Sequence, residues 1–254
     1  MADWQALLLG LIQGLTEFLP ISSSGHLVLV PALLGQDPPD LATSAMLHLG
    51  TLVAVLVYFR REVVEVLTFT EKGKRLLLLV LIGTIPAAVL GLAFESQVDG
   101  LNERPTGVAI ALFLTGIVLF STRWLTRGDR TVERATIKDT VIMGFGQAVA
   151  LIPGVSRSGS TISAGLLRGF THAEAARYSF LLGIPAIAGA GLLKSKDLID
   201  SGAGISGEIM VGVVVAAVSG YAAIAFLLRL IGRSGLAPFG IYCMVAGFVA
   251  LLVV

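Results

Sequence analysis

Six apolar stretches, at 42–60, 74–94, 104–124, 173–194, 206–230 and 237–254, recur along this chain, each close to the roughly 20 residues that a helix needs to cross the hydrocarbon core of a bilayer. Hydrophobicity spread in this way is not one anchor on a soluble body. Charged residues make up only 14% of the 254, against about 25% in an ordinary soluble domain, and mean hydropathy is +0.88. The bilayer is the solvent. The expected fold class is therefore an all-α polytopic membrane protein, one membrane domain over 1–254, surrounded by membrane lipids. A net charge of +1 gives no reason to expect a nucleic-acid partner. The single cysteine, Cys243, excludes an internal disulfide framework. Met1-Ala2-Asp3-Trp4 lacks the basic flank and cleavage site of a signal peptide, so the first apolar segment is expected to stay in the mature protein.

Two regions, 3–35 and 139–169, do not fit the spanning template. Each has an apolar arm, a break containing Pro, Gly and Ser, and a second arm of about a dozen residues, which as a helix rises only about 18 Å. That is too short to span, so each region reads as a re-entrant helical hairpin. Non-helical backbone at that depth must be buried in protein or line a wet cavity. The basic residues test the layout. With both hairpins returning, the loops around 60–75, 123–138, 168–177 and 229–233 share one face and carry fourteen of the eighteen Lys and Arg, Arg127 among them. Arg104, Lys194 and Lys196 fall opposite, and Arg157 sits in a break. A single crossing of 139–169 would give 12 against 5. The positive-inside rule favours the hairpins and places both termini outside the cytoplasm.

The hairpins also match each other. Gln13 aligns with Gln147 at an offset of 134 that holds without a gap, setting Ser22-Ser23-Ser24-Gly25 on Ser156-Arg157-Ser158-Gly159 and Gly35 on Gly169. Three spans follow each hairpin, an odd number, so the second copy is expected to be inverted. The repeats would be 1–125 and 139–254, an arrangement known in transporters with the site at the repeat interface.

The breaks read Gln13-Gly-Leu-Thr-Glu17-Phe-Leu-Pro20-Ile-Ser22-Ser23-Ser24-Gly25-His26 and Pro153-Gly154-Val155-Ser156-Arg157-Ser158-Gly159-Ser160-Thr161. Pro20 and Pro153 stop the incoming helices, and serines stand at N-cap positions before the outgoing ones. Helix N-termini then face the break, a geometry suited to phosphate. Gln13 and Glu17, four apart, share a helix face. A carboxylate at membrane depth needs a partner: Glu17 is either a structural ion pair with Arg157 or a metal ligand and acid/base group. The planar fork of Arg157 suits bidentate phosphate recognition. His26 can relay protons or attack phosphorus. His48 reads as a core residue within an apolar span, and Thr171-His-Ala-Glu174 as a capping box that takes up His172. Together the breaks supply what hydrolysis of a phosphoanhydride needs: groups that hold charge, a nucleophile and a proton donor.

These motifs closely resemble those of the bacterial undecaprenyl pyrophosphate phosphatase family of the bacitracin-resistance BacA type. Its first motif, Glu or Gln, three residues, Glu, then L-P-x-S-S-(S/T)-G-H, is matched from Gln13 to His26; its second, P-G-x-S-R-S-G-x-T, from Pro153 to Thr161. The resemblance implies six spans with two re-entrant hairpins in a bacterial cell membrane. It implies removal of the terminal phosphate from a polyprenyl pyrophosphate, which recycles the lipid carrier for peptidoglycan synthesis and confers bacitracin resistance. It also implies a divalent cation, magnesium or calcium, near Gln13 and Glu17. Glu17, Ser23, His26, Ser156 and Arg157 are the implied catalytic set, with Ser22, Ser24, Gly25, Ser158, Gly159 and Thr161 around the phosphates. Ser23 is the expected nucleophile and His26 its variant. Two positions depart from the pattern: Gln13 is uncharged where some members carry Glu, and Cys243 follows Tyr242 where many carry Arg.

Two other classes share parts of this pattern. Acid-phosphatase-like membrane enzymes also need K-x6-R-P and H-x3-D. The only Arg-Pro here is Arg104-Pro105, with Gln97 where Lys is required, and Val30, Leu52 and Ala176 follow the three histidines at the Asp position. A transporter or lipid-carrier flippase with an anion site would share the inverted repeat, but gives no reason for Ser-Arg-Ser beside Glu and His. Gly183, Gly189 and Gly191 could pack helices within one chain or between two in a homodimer.

Overall fold

The computed structural model describes residues 3–101, 104–125, 128–200 and 206–254. The expectations for Met1, Ala2 and Arg127, and for the side chains of Lys194 and Lys196, fall outside that description. Regular structure in the described residues is helical, apart from one isolated bridge between Arg130 and Phe170.

Three helical stretches are long and apolar enough to cross a bilayer among the described residues: α5 (Glu71–Ala93), Pro105–Trp124, built on α7 (Pro105–Ser121), and α11 (Gly207–Ser234). The 23 residues of α5 extend about 34 Å at 1.5 Å per residue. On α5, Leu78, Leu81, Ile85, Val89 and Leu92 recur every three or four residues and are all at least half exposed. An outward apolar stripe of this kind is stable against lipid and not against water. The other expected stretches are also helical, as α3 (Leu41–Tyr58), α10 (His172–Asp200) and α12 (Ala237–Leu251). At 15 residues, α12 is shorter than the 237–254 read from sequence.

One departure lies after α3. The chain bends by 82° into α4 (Arg60–Leu67), a segment expected to be loop. Arg60, Arg61, Glu62 and Glu65 cannot continue an apolar span, yet Val63, Val64, Val66 and Leu67 keep the segment amphipathic, so it persists as a helix with none of its residues buried. A second short helix, α6 (Glu95–Leu101), was likewise not expected.

The two interrupted regions fold as antiparallel pairs of short helices. In the first, α1 (Asp3–Phe18) and α2 (Ser23–Leu33) bring their outer ends together, where Gln5 Nε2 donates to Gln36 Oε1 at 3.3 Å. In the second, α8 (Ile137–Val149) and α9 (Arg157–Leu167) do the same, with Arg168 Nε donating to Asp139 at 2.7 Å. Thr136 and Asp139 close a capping box at the start of α8. Each pair packs against the other half of the chain: α1 lies on α11, and α8 on α5. The approach is close, since a Cβ on Gly144 would meet the Gly83 carbonyl oxygen at 2.3 Å. The helix pairs α3–α10 and α7–α12 also join the two halves.

The charged loops gather on one side. Arg75 donates to the Ala135 carbonyl at 2.7 Å, Arg177 pairs with Glu62 at 2.6 Å, and the Val132 amide donates to Glu174 at 2.8 Å. Gly235 abuts His172, and Thr171 Oγ1 accepts from the Glu174 amide at 3.2 Å, half of the expected capping box; the Thr171 amide donates to the Arg130 carbonyl at 3.1 Å instead of to Glu174. Of the small residues on α10, Gly191 packs on Leu49 and Gly183 on Arg157 within the chain.

Candidate active site

Both breaks are built by the same local device. After α1 the chain turns through Pro20 and Ile21, and Ser22 then caps α2, its Oγ accepting from the Gly25 amide at 3.2 Å. After α8, Ser156 caps α9 in the same way, accepting from the Gly159 amide at 3.1 Å. These caps stand at the aligned positions. Their strain is placed differently. Ser22 itself takes φ 70, which for a non-glycine residue costs about 1–3 kcal/mol and persists only where neighbours enforce it. In the second break Gly154 carries the positive φ of 92, which glycine adopts without that penalty.

The breaks meet. A Cβ on Gly25 would lie 3.2 Å from Gly154 Cα, and Ser158 Oγ donates to the Leu19 carbonyl at 3.1 Å. The N-termini of α2 and α9 therefore open at one place, deep among α1, α7 and α10.

Glu17 is the hub, only 7% exposed. Ser23 Oγ donates to its Oε2 at 2.6 Å and Gln13 Nε2 to the same oxygen at 3.1 Å. Arg157 donates to Oε1 at 2.8 Å, across 140 residues of sequence. Glu17 is thus ion-paired with Arg157, and the same carboxylate is bonded to the expected nucleophile. A hydroxyl bonded to a carboxylate is a charge-assisted pair and has the arrangement of a nucleophile beside its base. Ser23 is partly exposed, as attack requires. Arg157 also donates to the Ser179 carbonyl at 3.2 Å. Its guanidinium lies where a side chain at residue 183 would be, 2.1 Å from a Cβ on Gly183.

The remaining expected residues surround this cluster. Ser24 Oγ lies 3.4 Å from Ser22 Oγ, and Ser156 Oγ lies 3.3 Å from Ser158 Oγ. Thr161 is fully buried, donating to the Arg157 carbonyl at 2.8 Å and contacting Ser179 Oγ. Ser156, Ser158 and Thr161 therefore direct their hydroxyls to caps and backbone. His26 bonds to neither Glu17 nor Ser23; its partners are the Ser22 carbonyl and the Tyr242 hydroxyl.

His48, expected in the core, instead points Nε2 at Glu17 from 3.5 Å, with Nδ1 against the Ser44 carbonyl at 2.7 Å. Its place in an otherwise apolar stretch could have raised suspicion, but no motif marked it. Ser179 and Gly183, four apart on α10, share one helix face; nothing local says that this face meets Arg157.

Oxygen donors for a hard cation are present. Gln13 is fully buried, its Nε2 is committed to the carboxylate, and its Oε1 has no hydrogen-bond partner among the described residues. The described residues hold no group of three or more His, Cys, Asp or Glu suited to a metal; Gln13 Oε1 and Glu17 are the oxygens in the cluster that could contribute to one. Magnesium is commonly bound by one or two carboxylates plus phosphates.

The sequence matches the family described as bacitracin resistance protein BacA over residues 6–249. An undecaprenyl-diphosphatase of Pelobacter propionicus is 43% identical over 255 residues, covering 95% of this chain and 93% of its own. Another from Halothermothrix orenii is 40% identical over 254 residues, covering 99% and 98%. A third from Thermomicrobium roseum is 41% identical over 279 residues, covering 100% and 99%. With both motifs, their spacing and nearly the whole length in agreement, this chain belongs to the BacA family of bacitracin resistance proteins.

Proposed function

We propose that this chain is an integral membrane phosphatase that hydrolyses undecaprenyl pyrophosphate to undecaprenyl phosphate and inorganic phosphate. Recycled carrier would feed peptidoglycan synthesis, and the family's bacitracin resistance would follow from it. One observation carries the chemistry: Ser23 Oγ sits 2.6 Å from Glu17, the carboxylate that Arg157 reaches from the opposite break. The names of the relatives supply the substrate class.

The diphosphate binds where the N-termini of α2 and α9 meet, its charge shared by Arg157 and the free amides of both helix ends. Ser23 Oγ attacks the terminal phosphorus and gives its proton to Glu17. The anhydride P–O bond breaks, and undecaprenyl phosphate leaves with the bonding pair. Undecaprenyl phosphate carries the proton away from Glu17; water then attacks the phosphoserine and gives a proton to Glu17, and Ser23 Oγ takes that proton back as its bond to phosphorus breaks and inorganic phosphate is released. A divalent cation held by Gln13 Oε1 and Glu17 would offset phosphate charge when bound. His48 stands beside Glu17 and can take part in handling its proton.

The finer topology belongs to the same proposal. Six spans and two re-entrant hairpins form inverted repeats, 1–125 and 139–254, with both termini outside the cytoplasm. The matched caps, the ends tied by Gln5–Gln36 and Asp139–Arg168, and the reciprocal packing of α1 on α11 and α8 on α5 support it.

Purified protein in detergent should release phosphate from undecaprenyl pyrophosphate, and a chelator should suppress the release. Movement of the lipid across vesicles without any phosphate release would overturn the reading in favour of a transporter.

A further inference from the structure

Tyr242 lies on α12, 216 residues from His26, and belongs to neither motif. Its hydroxyl is 2.8 Å from His26 Nε2, and the two rings stack with centroids 5.7 Å apart and planes 9° from parallel. The next residue, Cys243, places Sγ 3.7 Å from the Pro20 carbonyl. Two consecutive residues of α12 thus bear on the first break.

The hydrogen-bond roles are fixed by chemistry. Nδ1 of His26 lies 2.8 Å from the Ser22 carbonyl oxygen, which only accepts, so Nδ1 carries a proton. On a neutral ring, Nε2 is then the lone-pair nitrogen and accepts from the Tyr242 hydroxyl. The same Ser22 carbonyl also accepts the His26 amide at 3.1 Å. Ser22 is the residue held at φ 70, immediately before Ser23.

We propose that Tyr242 is a positioning residue. It orients His26, which clamps the strained Ser22 turn, and the turn aims Ser23 at Glu17. Both ring nitrogens of His26 are occupied, so His26 acts by holding this turn and not as a nucleophile. The inference rests on the reading of Ser23 as the attacking group.

The experiment compares Tyr242→Phe, His26→Ala and Ser23→Ala in the phosphate-release assay, with the 15N spectrum of the His26 ring recorded for the wild type and Tyr242→Phe. Tyr242→Phe keeps the ring and its stacking and removes only the hydroxyl. It should lower kcat about tenfold, the size of one lost hydrogen bond, while leaving KM within about twofold because the phosphate-holding groups are untouched. The Nε2 resonance should move downfield, towards an unbonded imidazole nitrogen, with the Nδ1–H tautomer retained. An unchanged kcat or an unmoved Nε2 resonance in Tyr242→Phe, alongside a large loss in His26→Ala, overturns the role of Tyr242. Full activity in Ser23→Ala overturns the reading of the nucleophile instead.

Discussion

Among the described residues, two carboxylates are buried against arginine, Asp139 and Glu17, and their partners differ. Asp139 is fully buried and saturated: Arg130 donates at 2.6 and 3.1 Å, Arg168 at 2.7 Å, and Thr136 through its amide at 2.9 Å and its hydroxyl at 2.7 Å. Every partner belongs to the loops and helix ends that close the second hairpin. Glu17 has one arginine, and its other oxygen faces a serine hydroxyl, a glutamine and an imidazole. Burial and charge alone do not separate the two. What separates them is the chemistry of the partners: two cations and a cap make a clamp, whereas one cation and a serine hydroxyl make the arrangement that the proposed mechanism uses.

Neutralising each carboxylate without changing its shape should separate the two. Glu17→Gln should reduce phosphate release by about a thousandfold, within the range for loss of a positioned base, while the protein still extracts and purifies as folded. A residual rate within tenfold of the wild type would remove Glu17 from the chemistry. Gly183→Ala tests the arginine side of the same centre. A methyl group there cannot coexist with Arg157 Nη1 at 2.1 Å, so the guanidinium must shift from its present place on the Ser179 carbonyl and Glu17. A displacement of about 1 Å in a positioned group can cost roughly a hundredfold in rate, and we expect a loss of that order. Activity unaffected by Gly183→Ala would mean that the observed placement of the Arg157 guanidinium against Gly183 is not required for turnover.

Asp139→Asn should do the reverse, with kcat within about twofold of the wild type but stability lower by roughly 2–3 kcal/mol, the scale of charged hydrogen bonds lost. The pH dependence follows. Burial raises the Asp139 carboxyl, but hydrogen bonds from Arg130, Thr136 and Arg168 more than offset it and hold the group well below the usual carboxylate range. Its contribution is therefore fully present above the unfolded value of about 3.9 and disappears as pH falls through the depressed folded value. Thermal unfolding of the wild type should lose this increment only in strong acid, and Asp139→Asn should show a smaller acid-dependent loss. Equal acid sensitivity in the two proteins would show that the clamp contributes nothing.

The parts of this arrangement that sequence reveals are the local ones. Proline after an apolar arm, serine at an N-cap, and Gln13 four residues before Glu17 each act within a turn or two of helix, so their consequences can be read in order along the chain. Convergence of Glu17 and Arg157 also followed, because a lone carboxylate and a lone cation at membrane depth have few other ways to be satisfied. Partner choice across the fold was not legible. His48 reaches Glu17 across 31 residues, Tyr242 reaches His26 across 216, and Gly183 receives a side chain from a different helix. Each depends on which face α3, α10 or α12 turns inward, and an apolar helix with lipid on one side has weak periodicity to announce it. The bend at Phe59 was missed for a related reason: a charged segment with an apolar side can be a loop in water or a helix at an interface, and only the bilayer decides between them.

In the proposed mechanism Ser23 becomes phosphorylated during turnover. Enzyme mixed with undecaprenyl pyrophosphate labelled at the terminal phosphorus, quenched in SDS at neutral pH within one turnover and digested, should carry the label on the peptide containing Ser23, and Ser23→Ala should carry none. Label on His26, or none on the protein while Ser23→Ala still releases phosphate at the full rate, would contradict it.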